Sequence, residues 1–139
     1  MKPEFFNLEI KTNGQRLYEF TNKTINWIKD NKFNNGILNI SVQHTSASLI
    51  VQENADQDVQ TDLINYFNNL APMNNKLYIH NSEGKDDMPA HIKSTLTNNQ
   101  ISLSVKNGKL LLGTWQGIYL FEHRLKNQKR TIIHHYLGE

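Results

Sequence analysis

Two periodicities run through the chain and divide it into strands and helices. From Ile37 onward, Leu38, Ile40 and Val42 alternate with Asn39, Ser41 and Gln43. A period of two puts successive side chains on opposite faces, so this segment predicts a strand with one buried face. His44 continues the inward phase, and after Thr45-Ser46 the run Ala47 to Gln52 is apolar enough for a buried strand. The period then lengthens: Val59, Leu63, Tyr66, Phe67 and Leu70 recur at three- and four-residue spacing, with Asp56, Asp58 and Asp62 off that stripe. This pattern predicts an amphipathic helix, stopped at Ala71-Pro72.

Elsewhere the punctuation carries the reading. Phe5 to Lys11 reads as a strand, and Asn13-Gly14 predicts a tight hairpin into a second strand ending near Phe20, because Asn-Gly readily takes positive φ angles. A helix is expected from Asn22 to Phe33, capped by Thr21 or Asn22, with Ile25 and Ile28 on one side and Asn34-Asn35-Gly36 ending it. Leu77 to His80 reads as a short strand before the polar turn Asn81 to Gly84. Asp86-Asp87-Met88-Pro89 marks a further helix start, with Met88, Ile92 and Leu96 as its apolar stripe. Ile101 to Val105 and Leu110 to Leu112 flank Asn107-Gly108, the strongest hairpin signal, and strands over Gly117 to Arg124 and Arg130 to Leu137 complete the pattern. Strands come in pairs separated by helices, which predicts an α+β fold with a mixed, largely antiparallel sheet and about three helices.

Composition narrows the function classes. The 139 residues are a single-domain length, so one domain over 1–139 is expected. With no cysteine there are no thiol nucleophiles, disulfides or cysteine zinc sites. The net charge of +2 is made of interspersed charges, with no basic stripe interleaved with aromatics, so nucleic acid is not an expected partner. No apolar run is long enough to cross a bilayer, and Met1-Lys2-Pro3-Glu4-Phe5-Phe6 lacks the apolar region of a leader, so a cytoplasmic location without membrane partners is expected.

Four clusters offer chemistry. His44 ends an alternating strand; a lone inward histidine is more often a hydrogen-bonded core residue than a ligand, but Thr45-Ser46 beside it lets backbone amides approach an anion. The acidic turn Glu53-Asn54-Ala55-Asp56-Gln57-Asp58 serves either as a helix cap or as a cation site, and it is expected to share one end of the sheet with His44. In Glu83 to His91, His91 lies at the border of the apolar stripe, one turn after carboxylates that can ligate a metal with it or orient its ring. Its spacing matches neither the two-histidine helix of zinc proteases nor a calcium loop. Along Gly113 to Arg124, the glycines permit close approach and Trp115 can wall a pocket, while strand geometry puts Glu122 and Arg124 on one face and His123 on the other. His134-His135 reads as strand filler or a subunit contact.

Taken together, His44-Thr45-Ser46-Ala47, Glu53 to Val59, Asp87-Met88-Pro89-Ala90-His91-Ile92-Lys93 and Gly113-Thr114-Trp115-Gln116-Gly117-Ile118-Tyr119 resemble the YjbQ family, also called the secondary thiamine-phosphate synthase family. The match runs in order through nearly the whole chain. The resemblance implies a compact α+β fold, a homotrimer, and a polar site with a bound metal or anion near His44 and His91. It also implies the joining of hydroxymethylpyrimidine diphosphate to a thiazole phosphate with release of diphosphate. The expected roles are then His44, His91 and Glu122 in catalysis, and His44, His91, Asp56 and Asp87 around a divalent cation, zinc or magnesium. Lys93, Arg124, Gly84 and Thr114 are expected to contact the phosphorylated substrate. Two departures matter. Leu125-Lys126-Asn127-Gln128 stands where the family carries a Gly-Pro turn and a run of arginines, with Lys129 and Arg130 preserving part of the charge, and His123 stands where other members carry an aromatic. The rival reading is a non-catalytic trimer that binds a metal or anion only to order its assembly.

Overall fold

The alternating segments pair into two antiparallel sheets. The computed structural model describes residues 2–139. In chain order the elements are β1 (Lys2–Thr12), β2 (Arg16–Glu19), α1 (Thr21–Asp30), β3 (Gly36–Val42), β4 (Ala47–Glu53), α2 (Gln57–Leu70), a short 3-10 turn (Asn75–Leu77), α3 (Asp87–Leu96), β5 (Gln100–Lys106), β6 (Lys109–Leu110), β7 (Gln116–Glu122) and β8 (Gln128–Gly138). One sheet has the order β1-β8-β3-β5-β6 and the other β2-β7-β4. The result is the expected α+β fold with three helices and antiparallel pairing throughout.

The inward phase read from β3 is the core: Leu38, Ile40 and Val42 are buried with Leu8, Leu49, Val105, Ile118, Leu120, Ile132 and Tyr136 from the facing strands. Asn107 and Gly108 close the β5–β6 hairpin with φ of 52° and 76°, the left-handed pair a two-residue turn requires. The stripe of α2 covers the outer face of the smaller sheet, where Ile64 and Phe67 pack on Leu17, Tyr119 and Phe121. No residue of α2 is fully buried, and Tyr66 and Leu70 stay exposed.

Several local readings are corrected. Asn13-Gly14 does not join a hairpin: β1 pairs with β8 and β2 with β7, so the turn carries the chain from one sheet to the other. Gly14 still supplies the positive φ, and Tyr18 donates its hydroxyl to the Gly14 carbonyl to hold the crossing. Helix α1 ends at Asp30, with Lys32 at φ 55°, and Phe20 precedes its first turn without a side-chain cap. Thr21 instead donates to Glu19 and accepts from the Ile118 amide, tying the helix to β7. Ile28 is buried but Ile25 is not. Leu77 to His80 forms no strand, and Ile79 is fully exposed. On α3 the buried positions are Asp87, Pro89, Ala90 and Lys93, whereas Leu96 of the expected stripe is exposed, because this helix faces a polar end of the sandwich rather than the core.

Gly36 opens β3 where a Cβ would lie 2.5 Å from the Leu137 carbonyl and 2.7 Å from the Tyr136 ring. Gly36→Ala is therefore expected to lower stability by about 1–3 kcal/mol, the usual cost of overpacking, as read from the denaturant midpoint.

Candidate metal centre

Asp87 opens α3, and its neighbours explain how a carboxylate comes to be buried there. Arg124, just beyond β7, donates from Nη1 to Asp87 Oδ1 (2.8 Å), from Nε to Asp86 Oδ2 (2.9 Å) and from Nη2 to the Glu83 carbonyl (3.0 Å). The Leu125 amide adds a bond to Asp86 Oδ2 at 2.8 Å. Gly84 turns the chain at φ 108°, where a Cβ would sit 2.9 Å from Asp86 Oδ1, so the loop closes around the guanidinium only with glycine. With Oδ1 held by Arg124, Oδ2 of Asp87 faces His80 Nε2 at 2.6 Å and His91 Nε2 at 3.1 Å.

His91 follows Asp87 by four residues on the same helical face. Its Nδ1 lies 2.8 Å from the Thr45 carbonyl, an acceptor only, so Nδ1 donates there and the ring turns its Nε2 toward Asp87 Oδ2. A histidine whose far nitrogen is fixed by a carbonyl is oriented as metal-binding histidines are. His80, Asp87 and His91 bring one ligand atom each to within 4.8 Å of one another. Two imidazoles and one carboxylate with open sides suit zinc or a similar first-row ion, whereas magnesium prefers an all-oxygen shell. Burial pushes the Asp87 carboxyl up, but the His80 hydrogen bond and the charges of His91 and Arg124 outweigh it and hold the group below the usual carboxylate range. The same hydrogen bond raises His80 above an ordinary histidine. Anionic Asp87 thus stands between two nitrogens that a proton or a cation can bridge.

His44 and His91 do meet, across a cavity of about 250 Å³ that Thr45, Ser94, Thr95 and Asn99 complete. Yet His44 is not turned toward the cluster. Its Nε2 accepts from the Thr131 amide (2.9 Å) and its Nδ1 faces Arg130 Nη1 (3.5 Å). Burial, then the Arg130 charge, lower its pKa and keep the ring neutral. A larger cavity, of about 480 Å³, opens between β1 and β2 and holds no residue of the cluster.

Other expected site residues are placed elsewhere. Glu122 is fully buried and accepts from Arg130 Nε (2.8 Å), Thr12 Oγ1 (2.7 Å) and the Arg124 amide (3.2 Å), so it braces the site from beneath instead of facing the cavity. Arg124 is committed to Asp86, Asp87 and the Glu83 carbonyl, which makes it a clamp on the loop rather than a free anion contact. Lys93 is 1% exposed and donates to Asn68 Oδ1 of α2 at 2.6 Å, and burial lowers its pKa to about 8. Asp56 caps α2 by accepting from the Asp58 amide at 2.9 Å. It does not share an end of the sheet with His44, because β4 carries the chain seven residues away, roughly 20 Å at strand rise. Thr114 lies at that same far end, in the exposed loop that meets Asn54 through the Trp115 carbonyl. Of the other histidines, His123 bonds Ser48 Oγ at 2.8 Å and is driven down to about 3 by burial. His134 is core filler, bonded to Thr24 at 2.7 Å among Phe6, Phe20 and Trp27.

Sequence reading missed His80, since its segment has no periodicity. The signal was spacing: His80, Glu83, Asp87 and His91 fall three or four apart, although only the last two share a helix.

Fold and site together define a small two-sheet α+β protein with two histidines and a carboxylate converging at one end. The chain belongs to the YjbQ-like UPF0047 family, whose model, described as UPF0047 protein YjbQ-like, matches residues 6–139. It is 46% identical over 132 residues to a UPF0047 protein of Synechocystis sp., covering 95% of this chain and 90% of that one. Against the UPF0047 protein YjbQ of Escherichia coli the identity is 41%, covering 95% and 94%. A crystal structure of an uncharacterized YjbQ/UPF0047-family protein from Clostridium acetobutylicum superposes with a TM-score of 0.81 at 29% identity, covering 91% of this chain and 97% of that one. A YbjQ-like protein of unknown function from Sulfolobus solfataricus shares the fold, with a TM-score of 0.85 at 23% identity over 99% and 100% of the two chains.

Glu122→Gln leaves Arg130 buried without its counter-charge and is expected to cost about 3–5 kcal/mol in chemical denaturation. Lys93 titrates near 8 when folded against an ordinary 10.5, so the unfolded chain binds more protons between those values. Stability should therefore rise with pH across the lower part of that window, and Lys93→Met should flatten the slope.

Proposed function

We propose that this protein is a divalent-metal-dependent enzyme acting on phosphorylated small molecules, with His80, Asp87 and His91 as the metal ligands. The observation that carries the reading is the convergence of His80 Nε2, His91 Nε2 and Asp87 Oδ2, with His91 oriented by the Thr45 carbonyl and Asp87 by Arg124. A bound divalent cation supplies Lewis acidity to a phosphoryl or leaving-group oxygen. The chain's own contribution is to hold the ligands rigid, keep Asp87 ionised and keep His44 neutral beside the adjoining cavity.

The reaction that fits the family resemblance is displacement of diphosphate: the carbon–oxygen bond of hydroxymethylpyrimidine diphosphate breaks as its methylene carbon bonds to the nitrogen of a thiazole phosphate. Negative charge develops on the leaving diphosphate, and a cation held by His80, Asp87 and His91 would supply the opposite charge there. The second reading, a trimer ordered by its ion, is favoured by the exposed apolar side chains that lead into the cluster, Leu77 and Ile79 just before His80.

His80→Ala, His91→Ala and Asp87→Asn variants that fold as judged by circular dichroism are expected to lose stoichiometric zinc and synthase turnover, while His44→Ala keeps its zinc. Arg124→Gln, which frees Asp87 without removing a ligand, should weaken zinc about 10–100-fold. Retention of wild-type zinc by the His80 and His91 variants would end the assignment. Native mass spectrometry with and without chelator separates the two readings: an intact oligomer that loses only turnover indicates the enzyme, and dissociation on metal removal indicates the assembly role.

A further inference from the structure

The cavity beside the cluster differs from it in chemistry. His91 is the shared wall: its Nε2 faces Asp87 on one side, and the ring borders the cavity on the other. Across the cavity the lining is His44, Thr45, Ser94, Thr95 and Asn99, with no carboxylate, lysine or arginine among them. Some of these groups are already committed. Thr95 Oγ1 donates to the His91 carbonyl, and both His44 nitrogens face Thr131 and Arg130. Arg130 behind His44 is in turn neutralised by Glu122. Three groups are uncommitted: the Asn99 amide and the Thr45 hydroxyl, both on exposed residues, make no hydrogen bond within the described chain, and the Ser94 hydroxyl is buried with no partner among the described residues.

A buried hydroxyl without a partner, as at Ser94, costs free energy unless a ligand or water satisfies it, whereas the exposed Asn99 and Thr45 groups exchange water for a ligand. A charged ligand group would meet hydroxyls and an amide here without a counter-charge, and a purely apolar one would displace their water without replacing its hydrogen bonds. The volume of about 250 Å³ lies below the range of drug-sized pockets and suits a single ring or a short polyol.

We infer that this cavity is the subsite for an uncharged, hydrogen-bonding head group of the substrate, read by Asn99, Thr45 and Ser94, while the phosphate end reaches the His80–Asp87–His91 cluster. This rests on the metal-centred reading above and adds which end of the substrate goes where and which residues select it. Asn99 is the main selector, because its amide offers donors and an acceptor together, and Ser94 and Thr45 each add one hydroxyl. The Asn99 and Ser94 side chains make no bonds in the fold, so removing their polar groups leaves the scaffold intact.

Isothermal titration of zinc-loaded protein with four probes tests the inference: inorganic pyrophosphate, ribose 5-phosphate, 4-pyridylmethyl phosphate and 3-phosphoglycerate. The two neutral-headed phosphates are expected to bind more tightly than 3-phosphoglycerate, whose head is anionic. Asn99→Ala and Ser94→Ala should each weaken the better of them by about three- to tenfold, the worth of one neutral hydrogen bond, without changing pyrophosphate affinity. Zinc-dependent pyrophosphate binding with no head-group preference, or an equal loss for all probes in both variants, overturns the subsite and leaves the metal reading standing. Neutral-headed probes that bind without zinc and are weakened by Asn99→Ala support the subsite while overturning the metal reading. Absence of binding by all four overturns both.

Discussion

The site depends on one buried ion pair. Glu122 closes β7 of the smaller sheet and Arg130 lies in β8 of the larger, so their contact joins the two sheets where no backbone hydrogen bond does. Each ion is satisfied beyond the pair: Arg130 also donates to the Ser46 carbonyl and hydroxyl, and Glu122 accepts from Thr12 and the Arg124 amide. A buried charge pair survives desolvation only when its remaining hydrogen-bonding capacity is met in this way. The pair therefore gathers four chain segments to one place: the end of β1, the β3–β4 connection, the end of β7 and the start of β8.

What lies above follows from that convergence. The β3–β4 connection carries His44 and offers the Thr45 carbonyl to His91, and the residue after the buried His123 is the arginine that clamps the Asp86–Asp87 loop. The Arg124 guanidinium beside them helps hold Asp86 and Asp87 below the usual carboxylate range, while Arg130 beneath pairs with Glu122. Helix α3 accordingly buries an acid and a lysine instead of an apolar stripe, which a helix against the core would not do.

The sequence disclosed those features that depend on neighbours along the chain. Leu38, Ile40 and Val42 announced β3, and Asn107-Gly108 announced its hairpin, because period and turn chemistry are local. Asn13-Gly14 misled for the same reason: the turn is local, but the partner of each flanking strand is chosen by distant segments. Asp87 and His91 were legible through helical spacing, as were the blocks that resemble the YjbQ family. His80 sits in an irregular segment whose position is set by Arg124 and Gly84, and Arg130 was noted only as residual charge. The roles first given to Glu122, Arg124 and Lys93 reversed because a charged side chain does not show in its sequence whether it faces solvent or a buried partner.

The strand order has a consequence for how the molecule is made. β8 lies between β1 and β3, so the larger sheet is completed from its middle by the last of the described strands. Until then β1 and β3 each lack their neighbour along that line, and Glu122 waits unpaired for Arg130. Closure of this half of the fold, with the Glu122–Arg130 pair beneath the His80–Asp87–His91 cluster, waits for β8 and rests on pairings between distant parts of the described chain, the kind that form slowly. The folding chain therefore passes through an interval in which the strand edges of β1 and β3 are open and the cluster stands on an unfinished floor.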